Sequence, residues 1–136
     1  MAEARLVWQE GLRFEATSGS GRVVIVDSPK QEGYQGPSPM ELVLIGVGGC
    51  MAMDVVSILQ KMKQPMTGLE VRLRGEQNPD HPKYYRAVEL TFVVRGAGVE
   101  RARAERAIEL SRTTYCSAIN SLRPDCAVTT LVELVD

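Results

Sequence analysis

From Met40 to Leu59 the chain carries only two charged residues, Glu41 and Asp54, and this run limits the fold more than any other feature. Twenty residues of this kind are long enough to cross a bilayer as a helix. Asp54 would then lie inside the apolar zone at a cost of a few kcal/mol or more, and Gly46, Gly48 and Gly49 fall in the same run. A helix that is apolar on all sides also suits the centre of a large core. The core reading is adopted here, and no membrane association is expected. Ser38 can cap the start, Pro39 fits the first helical position, and Glu41 stands three residues after the cap. The expected helix runs from Pro39 to about Lys63, before Pro65, with Lys61 and Lys63 suited to its C-terminal turn. Gly48 and Gly49 each cost about 1 kcal/mol relative to alanine, so a kink or a close backbone approach is expected there.

The remaining elements arrange themselves around that helix. ARLVWQ, LRFEAT and RVVIVD read as three short strands with tight connections, an antiparallel meander. Residues 28–39 are rich in Pro, Gly and polar residues and form a loop. LEVRLRGEQ alternates apolar and polar residues, and YYRAVELTFVVRG places Val88, Leu90, Phe92 and Val94 on one face. The charged stretch from Val99 to Thr114 reads as an amphipathic surface helix, and AVTTLVELV closes the chain as a strand. The order is βββ-α-ββ-α-β, an α+β chain with antiparallel sheet packed on two helices. Its 136 residues and lack of a long linker fit one domain over 1–136. One open sheet cannot cover every face of so apolar a helix, so a dimer is expected.

Charge narrows the function. The net charge is −1 and aromatic residues make up 5%, so there is neither a basic field nor a stacking platform for nucleic acid. His81 is the only histidine, no two Cys or His residues form a close ligand pair, and no G-x-S-x-G occurs, so neither a zinc site nor a serine hydrolase is supported. The opening MAEARLVWQE lacks the basic-then-apolar pattern of a signal peptide, and an odd number of cysteines does not describe a closed disulfide framework. A cytoplasmic setting is expected, where paired thiols tend to be catalytic, metal-binding or redox-sensing.

Three cysteines remain: Cys50, Cys116 and Cys126. Cys50 can be a packed core thiol. If the helix breaks at Gly48-Gly49, Cys50 instead lies near a new helical N-terminus, whose free N–H groups favour a thiolate. Cys116 follows a helix and opens a polar turn, and only the fold can bring it to Cys50. Cys126, in a strand of apolar residues and threonines, is expected to pack.

The run GPSPMELVLIGVGGCMAMDVVSILQKMK, residues 36–63, resembles the first-cysteine helix of the OsmC/Ohr family, the osmotically inducible protein C and organic hydroperoxide resistance proteins. YCSAINSL, residues 115–122, is similar to that family's second-cysteine turn, and His81-Pro82 between two strands fits as well. Within the family the likeness is to the small YhfA-like branch. The resemblance implies an OsmC-like α+β fold: antiparallel sheets on a long central apolar helix and a second helix, in an intertwined homodimer with active sites at the subunit interface. It also implies a thiol-dependent peroxidase acting on organic or small hydroperoxides. Cys50 would be the peroxidatic thiol and Cys116 the resolving one, with an external dithiol reductant and no bound cofactor. The hydroperoxide resistance branch supports its thiolate with a glutamate at the position of Met40 and an arginine. Glu41 lies next along the helix, rotated by about 100°, and Arg13 and Arg22 lie in the first strands. Glu41 and Arg13 are therefore the candidate supporting residues. The competing class is a non-enzymatic relative of the same fold, a small-ligand-binding protein or redox sensor.

Overall fold

The structure is a computed structural model that describes residues 1–136. Its backbone divides into two compact units, Met1–Val43 and Leu44–Asp136.

The first unit holds strands β1 (Ala4–Glu10), β2 (Arg13–Ser18) and β3 (Val23–Val26), paired in that order as an antiparallel sheet. Gly11 turns the first hairpin at φ +53°, in the left-handed region that only glycine enters freely. The indole N–H of Trp8 donates to the Gly11 carbonyl at 2.9 Å and ties that turn to its strand. Beyond β3 the loop winds around Asp27, which is 4% exposed. Its carboxylate accepts hydrogen bonds from the backbone N–H groups of Ser28 (2.8 Å) and Gln35 (3.0 Å) and from Arg13 Nε (3.0 Å). These donors, the Gln35 N–H first among them, hold the Asp27 carboxyl below the ordinary aspartate value although burial opposes them.

Helix α1 (Pro39–Lys61) begins in the first unit and runs on through the second. The expected cap forms: Ser38 N–H donates to Glu41 Oε1 at 2.9 Å, and Glu41 N–H donates to Ser38 Oγ at 3.1 Å. The other end closes with a Schellman pair. Gln64 N–H donates to the Leu59 carbonyl and Lys63 N–H to the Gln60 carbonyl, with Lys63 at φ +56°. Between the caps the helix is continuous, so the break at Gly48-Gly49 that would have put Cys50 near a new N-terminus does not occur. What uses Gly48 is a side chain rather than a backbone: a Cβ there would come within 2.6 Å of Leu73 Cδ1.

In the second unit β4 (Gly68–Gln77) and β5 (Tyr85–Arg95) form an antiparallel pair, and β6 (Ala127–Val135) completes the order β4-β5-β6. The last strand departs from the all-antiparallel expectation. It lies parallel to β5, with Leu90 opposite Thr130. Helix α2 (Arg101–Leu110) carries the chain back across the sheet, the long crossover that a parallel neighbour requires. The core is built from alternate residues of β5 (Val88, Leu90, Phe92 and Val94), from Val47, Met51, Val55 and Leu59 of α1, and from Ala104, Ala107 and Ile108 of α2.

Helix α1 is long and apolar enough to cross a membrane, yet only 28% of its most apolar stretch is buried. Ile45 is 59% exposed and Met53 is 76% exposed. An open apolar groove of about 660 Å³ follows this side of the helix, lined by Ile45, Gly49 and Met53 together with Leu69, Val71 and Leu73 of β4.

Candidate active site

Helix α2 does not stop as an ordinary α-helix. Residues Ser111–Tyr115 continue it as a π turn, and Cys116 N–H closes that turn on the Ser111 carbonyl at 2.7 Å. Such wide turns are rare and occur often at functional sites. In an α-helix, residue 115 would lie over Ser111 and residue 116 about 100° round. The extra residue puts Cys116 one turn beyond Ser111 on the same side. The chain then leaves the helix in extended conformation at Cys116 (φ −75°, ψ 103°) and enters the short 3-10 turn Ile119–Ser121.

Two pairs of side chains join this region to α1. Ser111, fully buried, donates its hydroxyl to Asp54 Oδ2 at 2.8 Å. One turn earlier on α1, the Cys50 side chain neighbours the Cys116 thiol closely enough to shift its titration. The fold thus brings together two cysteines that no local motif links. Their settings differ. Cys50 is half-buried, whereas Cys116 is sealed at 0% exposure. Cys116 Sγ also accepts the Ile119 N–H at 3.3 Å, and the Asn120 side-chain amide donates to the Cys116 carbonyl at 2.8 Å, so the turn is held on both sides. Burial, followed by the neighbouring Cys50 sulfur, pushes the Cys116 thiol up to about 11 against the Ile119 N–H. At neutral pH Cys116 therefore keeps its proton. Cys50 is the less buried member of the pair.

The other sequence candidates have partners of their own. Glu41 is engaged in the α1 cap with Ser38. The Arg13 guanidinium is held by Asp27 and Glu10 and by the Gly33 carbonyl. Cys126 precedes β6 rather than lying in it, is half-buried, and has its thiol raised by burial. It lines a separate cleft with Arg112 and Arg123. Val47 and Met51 beside Cys50 are core residues, and Ile45 and Met53 are exposed. No three His, Cys, Asp or Glu side chains converge as a metal-ligand set. Asp54 and Ser111 were not among the sequence candidates. The signal for Asp54 was its spacing, one helical turn after Cys50 on the same face.

The family model for OsmC-like protein matches residues 30–131 of this chain. The chain belongs to the OsmC family. Protein YhfA of Escherichia coli (strain K12) is 40% identical over 133 residues, covering 98% of both chains. The crystal structure of an OsmC-like protein from Mycoplasma pneumoniae superposes with a TM-score of 0.86 at 16% identity, over 100% of this chain and 98% of that one. The organic hydroperoxide resistance protein OhrB of Bacillus subtilis superposes with a TM-score of 0.67 at 16% identity, over 98% of each. At such identities the two structures establish the OsmC fold. This OsmC-family chain has the element order βββ-α-ββ-α-β and shares its fold with these two proteins.

Proposed function

We propose that this OsmC-family protein is a thiol-dependent peroxidase that reduces organic or small hydroperoxides. It works as a cytoplasmic homodimer, with an external dithiol as reductant and no bound cofactor. The observation that carries this reading is the proximity of Cys50 to Cys116, one half-buried and the other sealed. In the first step the Cys50 thiolate attacks a peroxide oxygen and the O–O bond breaks. Cys50 becomes a sulfenic acid, and the alkoxide takes a proton from solvent and leaves as the alcohol. In the second step the Cys116 sulfur attacks the Cys50 sulfur and the S–O bond breaks. The hydroxide leaves as water with the proton from Cys116. The dithiol then exchanges with the disulfide, restoring both thiols as it is itself oxidised.

The electrostatics of the pair order these steps. Burial is the main reason that Cys116 holds its proton, and the neighbouring Cys50 sulfur adds to it. Oxidation of Cys50 replaces the neighbouring thiol that raises Cys116, so Cys116 gives up its proton more readily once there is a sulfenic acid to attack.

A second copy of the chain is the natural cover for the open side of α1, where Ile45 and Met53 are exposed. Sedimentation should show a dimer that Met53→Glu shifts toward monomer. A wild-type monomer at micromolar concentration would overturn that part.

The chemistry is tested by initial rates with cumene hydroperoxide and dithiothreitol. Cys50→Ser should abolish turnover, and Cys116→Ser should accumulate a sulfenic acid that dimedone traps. Normal turnover in Cys50→Ser removes the proposal, and oxidation without turnover in wild type converts it to a redox sensor.

A further inference from the structure

Two facts about Asp54 stand out. It lies one helical turn after Cys50 on the same face of α1, and its carboxylate accepts the hydroxyl of Ser111, a fully buried residue, at 2.8 Å. Ser111 in turn lies one π turn before Cys116, whose N–H it accepts at 2.7 Å. The neighbours close a ring. Cys50 leads down one turn of α1 to Asp54, across to Ser111, along one π turn to Cys116, and back to Cys50, whose side chain lies beside the Cys116 thiol. A bond to an ionised carboxylate is among the stronger and more directional ones available to a serine. The half-buried carboxylate would otherwise face a fully buried hydroxyl with no partner, which is costly on both sides.

We propose that Asp54 and Ser111 are positioning residues for the cysteine pair, their hydrogen bond fixing α1 against the π turn so that the two sulfurs meet and the disulfide closes readily. The inference rests on the reading of Cys50 and Cys116 as a redox pair. Without the bond, the π turn can move against α1, and the effective concentration of one thiol at the other falls. The pair then forms its disulfide less favourably and becomes a stronger oxidant.

The quantity to measure is the equilibrium constant for closing the Cys50–Cys116 disulfide against glutathione, read by trapping free thiols and mapping the linkage by mass spectrometry. A bond that only helped the chain to fold would destabilise the reduced and oxidised proteins equally and leave this constant unchanged. We expect Ser111→Ala and Asp54→Ala each to lower it tenfold or more, about 30 mV for a two-electron couple. Asp54→Asn, which keeps an acceptor for the Ser111 hydroxyl, should retain most of the wild-type value. The double variant should fall no further than either single one. If Ser111→Ala does not fold, Asp54→Ala removes the same bond from the half-buried side. An unchanged constant in the alanine variants, or losses that add in the double variant, overturns the positioning role while leaving the redox pair in place. Failure of the wild-type protein to form this disulfide at all overturns both.

Discussion

The molecule contains two sheets of three strands each, and they are held by different forces. In the sheet β4-β5-β6, Val88, Leu90, Phe92 and Val94 are all at 0 or 1% exposure. In the sheet β1-β2-β3 every residue of β1 is exposed, Trp8 at 64% and Leu6 at 55%, and Val23 of β3 is at 57%. Both sheets are rich in β-branched and aromatic residues, so strand propensity does not separate them. What separates them is where the order comes from. The second sheet is fixed by apolar burial under α1 and α2, whereas the first is fixed by ladder hydrogen bonds, the Gly11 turn and the polar knot around Asp27.

That contrast can be broken by mutation. The largest expected effect is Phe92→Ala, a fully buried ring whose loss should cost about 3–5 kcal/mol in urea unfolding. A cost below about 1 kcal/mol would mean that the second sheet is not packed as described. Next comes Gly75→Ala on β4, where a Cβ would come within 2.5 Å of the buried Tyr85 ring and 3.1 Å of Leu44 Cδ2. The overpacking should cost about 1–3 kcal/mol by the same measurement.

The first sheet should respond to acid rather than to apolar truncation. Because the folded Asp27 carboxyl lies below its ordinary value of 3.8, it stabilises the fold above that pH. The stabilisation is lost as pH falls from 3.8 through the lower folded value. Thermal melts of wild type should therefore drop more steeply than those of Asp27→Asn below pH 4, and equal slopes would contradict the knot. The smallest effect is expected for Trp8→Ala, about 1 kcal/mol or less for an exposed side chain that loses its hydrogen bond to the Gly11 carbonyl. A larger cost that grows with protein concentration would sharpen the comparison, showing that a second copy covers this sheet in solution.

Local and periodic features were the legible ones. The Ser38–Glu41 cap is written in four consecutive residues, and the inward set of β5 follows from alternation alone. The OsmC likeness was legible in the two cysteine segments, because each is a contiguous stretch. Features that depend on distant partners were not. Gly48-Gly49 read as a kink or a close backbone approach because the neighbour that uses Gly48, Leu73, lies on β4. The parallel alignment of β6 depends on a crossover through α2, which no strand pattern records. The π turn at Ser111–Tyr115 differs from an α-helix by one residue's worth of hydrogen-bond register, and nothing in SRTTY announces it. Asp54 drew notice only as a charge in an apolar run, since its partner Ser111 lies at the far end of the other helix. Glu41 and Arg13 were legible as charges near the right elements, but the sequence does not show that Ser38 and Asp27 engage them.

The central claim is that Cys50 and Cys116 act as one redox unit, and a single oxidation tests it most directly. Fully reduced protein is treated with one equivalent of cumene hydroperoxide without reductant, and every cysteine is then mapped by mass spectrometry. The account predicts an intramolecular Cys50–Cys116 disulfide with Cys126 still a free thiol. Oxidation centred on Cys126, or a Cys50 that survives untouched, would contradict it.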